Sequence, residues 1–277
     1  MDNSALTHKT FPSLGQAVLL VLAVVGIRML YGVVFGTIDA ALRIAGINIG
    51  TSLVAQPLFL ALTNTVGFGL PLIFGVLYQE ARLSEVLPLR RPRPPLLVLA
   101  IMVTIIGAVV LSSEVDNFTR MFFPPPDWIV RMFGHLGDTK AHPVPSGFLL
   151  VVVAPVTEEF FFRGLILRGL LSRYSSSWAV VLTALLFTVI HLNPWQFFSA
   201  MLLGMLLGWW FVRTKTLTVC LIGHAFANGL VFVQPFMPFE VQGFNTDPAS
   251  AMPGQFQPLW FDAIGLLLFL GGLLLFQ

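Results

Sequence analysis

Charged residues are scarce in this chain of 277 residues, because only 10% are Asp, Glu, Lys or Arg while 56% are hydrophobic. A soluble domain carries roughly 25% charged residues. A soluble protein of this length would also have more apolar surface than its fold could hide from water. The composition therefore excludes a soluble enzyme and a disordered chain, and it predicts a polytopic membrane protein.

Runs of Lys and Arg are also missing, and the formal net charge is only +2. A nucleic-acid-binding surface needs clustered positive charge, so no nucleic-acid partner is expected. The sequence has a single cysteine, Cys220, which excludes an intrachain disulfide. It lies in the apolar run 217–222 and is interpreted as a small core residue.

Long apolar segments fill most of the chain. A transmembrane helix needs about 20 mostly apolar residues, and this criterion predicts an all-α polytopic bundle of about eight transmembrane helices. The first span is expected to remain as an anchor, because its apolar character continues past Arg28 without a small-residue cleavage site. The predicted spans are residues 14–36, 52–79, 95–113, 147–171, 177–192, 195–212, 217–235 and 258–276.

Two longer connections divide the chain into three predicted regions. Residues 1–146 hold three spans and an extramembrane loop, residues 147–235 form a four-span core, and residues 236–277 hold a proline-containing loop and the last span. Within the first of these loops, residues 127–133 have the pattern of an amphipathic helix on the membrane surface. An ordinary ordered loop is the alternative interpretation of that segment.

Basic residues are distributed unevenly among the connections. With eight spans, both termini share one side of the membrane with the loops that hold Arg82, Arg90, Arg91, Arg213 and Lys215. The positive-inside rule assigns such a side to the cytoplasm. The sequence therefore predicts a multi-pass protein of the cell (inner) membrane whose N- and C-termini are both cytoplasmic.

Three charged residues interrupt the fourth span, namely Glu158, Glu159 and Arg163. Each costs roughly 2.5–3.5 kcal/mol at the centre of a spanning helix, and such residues usually face the bundle interior at a functional site. Glu159 and Arg163 are four residues apart and share a helix face, so we expect them to pair and to support the site. Glu158 has no local cation and is predicted to act as a general base or acid. A buried ionic cluster that only fixes helix packing is the structural alternative.

Two histidines lie in later apolar segments. His191 ends the fifth predicted span, and His224 lies four residues before Asn228 on one face of the seventh. At 1.5 Å per residue, Glu158 and His191 come out roughly 20 Å deep, and His224 and Asn228 roughly 10–17 Å deep. Taken singly, each histidine is interpreted more readily as a structural residue. Together, the four side chains are expected to line one buried active site.

This set of side chains suits the hydrolysis of a peptide bond. A carboxylate such as Glu158 removes a proton from water, and a histidine at hydrogen-bonding distance orients that water. His224 and Asn228 can donate hydrogen bonds to the oxyanion that forms at the attacked carbonyl. Because no serine is similarly placed and Cys220 shows no sign of activation, water is the expected nucleophile, and no cofactor is expected.

Three motifs resemble those of a known family of membrane proteases. The motifs are Glu158-Glu159-x-x-x-Arg163, Phe187-x-x-x-His191 and His224-x-x-x-Asn228. Their order on successive spans resembles the CPBP family, the CAAX proteases and bacteriocin-processing (Abi) enzymes, which are also called type II CAAX prenyl endopeptidases. The resemblance covers about residues 147–235. It implies a glutamate-dependent intramembrane endopeptidase acting on a membrane-anchored protein or peptide, and because the compact chain looks bacterial, on a substrate that is not prenylated.

Three rival functions are left open at this point. A zinc-dependent membrane metalloprotease would use Glu158 with the two histidines, but zinc is not favoured because the chain lacks His-Glu-x-x-His. A proton-coupled transporter would use the same groups as a relay, although neither an inverted repeat nor paired broken helices supports it. A non-catalytic scaffold or bacteriocin immunity protein would bind its partner without cleaving it. The sequence does not predict the oligomeric state.

Overall fold

The computed structural model of the protein is helical throughout the parts that it describes. Every regular element in those parts is a helix, so the all-α prediction is confirmed. The predicted surface helix at 127–133 lies outside the described residues. The structure describes residues 10–47, 52–92, 94–126, 140–246 and 255–277.

Eight main helices form the bundle within the described residues, and each coincides with one predicted span. In chain order they are α1 (Leu14–Ile44), α2 (Pro57–Tyr78), α3 (Pro95–Phe122), α4 (residues 143–171), α5 (Ser176–Val189), α6 (Phe197–Thr214), α7 (Leu217–Val233) and α8 (Leu259–Phe276). Shorter helical turns lie at Leu53–Ala55, Leu83–Val86, Pro194–Gln196 and Gln234–Phe236.

Six of the helices found in the described residues, α1, α2, α3, α6, α7 and α8, are long and apolar enough to cross a membrane. A multi-pass membrane protein is therefore confirmed. Helix α5 is apolar but has only 14 residues, because Leu192 takes a left-handed conformation with φ of 51° just before Pro194. The figure of eight crossings stays a prediction.

Helix α4 changes its hydrogen-bonding pattern along its length. Its consecutive segments are α-helical Pro143–Phe148, π-helical Leu149–Val153, α-helical Ala154–Glu159, π-helical Phe160–Leu167 and α-helical Arg168–Leu171. The Ala154 N–H donates to the carbonyl of Leu149, five residues earlier. The next residue, Pro155, has no N–H to donate to Leu150 in the same register. The Leu150 carbonyl therefore needs a partner from outside the helix.

Helices α3 and α8 pack with their backbones in contact. A methyl group added at Gly107 would lie 2.5 Å from the Gly265 carbonyl oxygen, and one added at Gly272 would lie 2.5 Å from the Thr104 nitrogen. Only glycine permits so close an approach of two membrane helices. The last span thus packs directly on the third, although the division of the chain at residues 146 and 235 stays a prediction.

Candidate active site

The four predicted catalytic side chains lie around one cavity of about 1140 Å³ among the helices. Glu158 comes from α4, His191 from the turn after α5, and His224 and Asn228 from α7. The structure therefore brings together four side chains that are up to 70 residues apart in the sequence. Their catalytic roles stay a prediction.

The two adjacent glutamates of α4 have different surroundings, because consecutive helical residues point about 100° apart. Glu158 lines the cavity, whereas the Glu159 side chain is fully buried beneath it. The Glu158 Oε2 atom lies 3.8 Å from His224 Nε2, which is too far for a hydrogen bond. Among the described residues this buried oxygen has no hydrogen-bond partner, so its hydrogen-bonding capacity is unsatisfied.

Glu159 and Arg163 form the ion pair that their spacing predicts. Arg163 Nη1 donates to Glu159 Oε1 at 2.7 Å, and Nη2 donates to the carbonyl oxygen of Gly204 in α6 at 2.9 Å. Both side chains of the ion pair are completely buried. A buried charge that loses its partner is strongly destabilising, so this pair fixes α4 against α6 beneath the cavity.

His224 shares the same oxygen of Glu159. Its Nδ1 lies 2.8 Å from Glu159 Oε1. An ionised carboxylate only accepts hydrogen bonds, so Nδ1 carries the proton in this contact. The other ring nitrogen, Nε2, is then on the side of Glu158. Glu159 therefore orients the imidazole of His224 as well as binding Arg163, a second role that the spacing in the sequence does not reveal.

His191 is oriented by the end of α5. Its Nδ1 lies 2.7 Å from the carbonyl oxygen of Phe187, which can only accept, so Nδ1 donates its proton and Nε2 keeps a lone pair. Phe187 is in the last turn of α5, where carbonyls lack partners within the helix. The early end of α5 thus selects the tautomer of His191.

Asn228 supplies the partner that the Leu150 carbonyl needs. Its Nδ2 donates to this oxygen at 2.9 Å, which compensates for the missing N–H of Pro155. An amide nitrogen has two N–H bonds, so one remains for a ligand in the cavity. The contact links α7 to the π-helical segment Leu149–Val153 of α4, and no feature of the motif itself predicts it.

Phe187 is the residue whose role the sequence interpretation missed. It is buried, and its ring lies 4.8 Å from the guanidinium carbon of Arg163. It also makes edge contacts with the rings of His191 at 5.0 Å and His224 at 5.7 Å. The available signal was its position four residues before His191, on the same helix face. Phe187 therefore packs against the side chains of Arg163, His191 and His224.

Cys220 behaves as the core residue that the sequence predicts. It is fully buried, and its thiol lies 3.3 Å from the Leu207 carbonyl oxygen. In the parts of the chain that the structure describes, no three His, Cys, Asp or Glu side chains are grouped so that they could hold a metal ion.

Comparison with known proteins finds a match to the segment that holds the four predicted catalytic residues. A family model described as "Type II CAAX prenyl endopeptidase Rce1-like" matches residues 140–230. This segment of the chain is therefore similar to the Rce1-like family. It includes Glu158, His191, His224 and Asn228, and it confirms the resemblance that the motifs predicted.

A curated relative is similar over part of its length. The UPF0177 protein YbdI of Lactococcus lactis is 29% identical over 130 residues, which cover 46% of this chain and 60% of that protein. The alignment thus spans about 60% of the length of the curated relative. No solved structure matches the chain.

Proposed function

We propose that this protein is an intramembrane endopeptidase that hydrolyses a peptide bond with a water molecule activated by Glu158. The observation that carries the proposal is the convergence of Glu158, His191, His224 and Asn228 on one cavity within an Rce1-like segment. The family supports the peptidase class. The surroundings of Glu158, which lines the cavity without a hydrogen-bond partner among the described residues for its Oε2, support the glutamate mechanism.

In the first proposed step, the Glu158 carboxylate takes one proton from a water molecule, and the water oxygen attacks the carbonyl carbon of the scissile peptide bond. His191 Nε2 accepts a hydrogen bond from the remaining O–H of that water and so orients it, because the bond from Nδ1 to the Phe187 carbonyl leaves the Nε2 lone pair free. The carbonyl π bond opens, and its electrons move to oxygen to give a tetrahedral oxyanion.

In the second step, the oxyanion accepts hydrogen bonds from the remaining N–H of the Asn228 amide and from His224 Nε2 in its imidazolium form. His224 then donates from both ring nitrogens, because Nδ1 bonds Glu159. Glu158 passes its proton to the leaving nitrogen, and the carbon–nitrogen bond breaks. The products are a carboxylic acid and an amine, and Glu158 is again a carboxylate.

We propose a membrane-anchored, non-prenylated protein or peptide as the substrate, with no cofactor and no nucleic acid involved. The location that fits is the cell (inner) membrane with both termini in the cytoplasm, on the distribution of basic residues in the connections. The lipid bilayer surrounds the apolar faces of the six long helices.

The proposal is tested by comparing the membrane and secreted proteomes of four strains. One lacks the protein, and the others express the unchanged chain, Glu158→Gln or Glu240→Gln. We expect a precursor to accumulate in the deletion strain and in Glu158→Gln, with cleavage reduced by about 10³-fold or more because the general base is lost. Glu240 is exposed and lies outside the cavity lining, so Glu240→Gln makes the same chemical change as a control.

Normal processing by a folded Glu158→Gln protein would overturn the glutamate mechanism. Loss of activity on adding a strong chelator, restored by zinc, would favour the metalloprotease instead. The deletion strain could have a phenotype that expression of Glu158→Gln fully rescues although no protein is cleaved. That outcome would favour the scaffold or immunity protein. Thermal unfolding of each purified variant in detergent establishes that it is folded.

A further inference from the structure

A cation that the proposed chemistry does not use lines the cavity. Arg28 is in the middle of α1, is half-buried, and lines the same cavity as Glu158. An arginine within a spanning helix is costly and usually marks a ligand or ion pathway. The motifs around Glu158 give no reason for it.

Helix α2 provides room for the Arg28 side chain. A methyl group added at Gly67 would lie 2.8 Å from Arg28 Cγ and 3.3 Å from Cδ. The aliphatic part of Arg28 therefore lies directly on the α2 backbone. Asn64, three residues before Gly67 and so on a neighbouring position of the same face, is buried and lines the cavity too.

Two arginines near the site have carboxylate partners, whereas Arg28 does not. Asp116 pairs with Arg120 at 2.7 Å, and Glu159 pairs with Arg163 at 2.7 Å. Among the described residues, Arg28 makes no hydrogen bond and no ion pair within 4.0 Å. Its guanidinium keeps all five N–H donors available.

We propose that Arg28, together with the Asn64 amide of the same cavity lining, binds the free C-terminal carboxylate of the substrate, an inference that rests on the proposed endopeptidase function. A planar guanidinium matches a carboxylate through two parallel hydrogen bonds. A peptide that ends inside a membrane cavity necessarily brings this charge with it, whereas acidic side chains are rare in membrane-embedded sequence. Arg28 then fixes how far from the chain end Glu158 acts, and it determines specificity.

The test uses one set of internally quenched apolar peptides made with a free C-terminal carboxylate, as the C-terminal amide, and as the amide with Glu as the last residue. For the purified chain in detergent, we expect kcat/KM to be about 10- to 100-fold higher for the acid than for the amide, mainly through KM. Arg28→Met should cleave acid and amide alike, and Arg28→Lys should keep part of the preference. The third peptide distinguishes a side-chain carboxylate from the chain end.

Binding to the Glu158→Gln protein separates this inference from the proposed chemistry. It is measured by fluorescence anisotropy with acid and amide peptides of the same sequence that carry one fluorophore and no quencher. Acid-selective binding that disappears in Glu158→Gln/Arg28→Met supports the anchor even if no peptide is cleaved. Equal binding of acid and amide, or a preference unchanged by Arg28→Met, overturns it. Glu158-dependent cleavage without any preference for the acid would leave the endopeptidase intact and overturn the anchor alone.

A third variant, Gly67→Ala, tests the same inference without removing the charge. Its methyl group displaces the Arg28 side chain, so we expect a reduced preference for the acid at a similar thermal stability. If Gly67→Ala and Arg28→Met both keep the full preference for the acid over the amide, other groups cause the selectivity.

Discussion

The contact between α3 and α8 and the contact between α4 and α7 are built in opposite ways. The α3–α8 contact depends on Gly107, Gly265 and Gly272, at which any added methyl group would overlap the other helix. The α4–α7 contact depends on hydrogen bonds from His224 to Glu159 and from Asn228 to Leu150. Lipid is as apolar as a helix surface, so burial alone favours neither contact.

The difference shows which contact serves assembly and which serves chemistry. Close backbone packing gains van der Waals contact without taking any charge out of water. The buried charges of Glu159 and Arg163 carry a desolvation cost that well-packed apolar residues would avoid. Their retention under the cavity is therefore better explained by the orientation that they give to His224 than by stability.

The largest effect on stability is expected from breaking the ion pair beneath the site. Arg163→Ala leaves the Glu159 carboxylate buried with His224 as its remaining hydrogen-bond partner. We expect the free energy of unfolding to fall by about 3–5 kcal/mol. Thermal and denaturant unfolding in detergent, followed by circular dichroism, measures the change.

Arg120→Ala is the matched control, because Arg120 pairs with Asp116 in the same i,i+4 geometry but its side chain is 44% exposed. An exposed pair contributes about 0–1 kcal/mol. If Arg163→Ala and Arg120→Ala lower the free energy of unfolding equally, the buried pair contributes no more than the half-exposed pair does, and the contrast between the two helix contacts is lost.

An intermediate effect is expected from widening the α3–α8 contact. Gly272→Leu forces a side chain against the Thr104 backbone, and we expect a loss of about 1–3 kcal/mol, the usual cost of overpacking. The neighbouring Gly271 has nothing within 4 Å of an added methyl group, so Gly271→Leu should leave the unfolding temperature unchanged. Equal unfolding of the two leucine variants would contradict the close approach.

The two contacts were not equally predictable from the sequence. The i,i+4 spacing of Glu159 and Arg163 predicts their pair, because helix geometry alone decides it. The spacing of glycines in α3 and α8 does not reveal that Gly107 meets Gly265, since two helices far apart in sequence must first be placed side by side. Local rules therefore identify the charged residues of the site but not the partners that other helices supply.

The π-helical parts of α4 illustrate the same limit. Pro155 was visible in the sequence, but whether a proline kinks a membrane helix or shifts its hydrogen bonds depends on what satisfies the carbonyls it leaves. Here Asn228 on α7 satisfies Leu150. The motif therefore predicts Asn228 as a site residue while its contact with the α4 backbone stays hidden.

The smallest effect, and the sharpest test of the polar contact, comes from Asn228 and Pro155 together. Asn228→Leu removes the donor to the Leu150 carbonyl, and we expect a loss of about 0.6 kcal/mol, the average for hydrogen bonds between membrane helices, with about 1.7 kcal/mol as the upper limit. Pro155→Ala supplies a backbone N–H at residue 155. This N–H can donate to the Leu150 carbonyl five residues earlier, as the Ala154 N–H donates to Leu149. Asn228→Leu should therefore destabilise the Pro155→Ala protein less than the unchanged chain in a double-mutant cycle of unfolding free energies. Strictly additive losses would mean that Asn228 does not compensate for Pro155, and that the link between α7 and α4 has another origin.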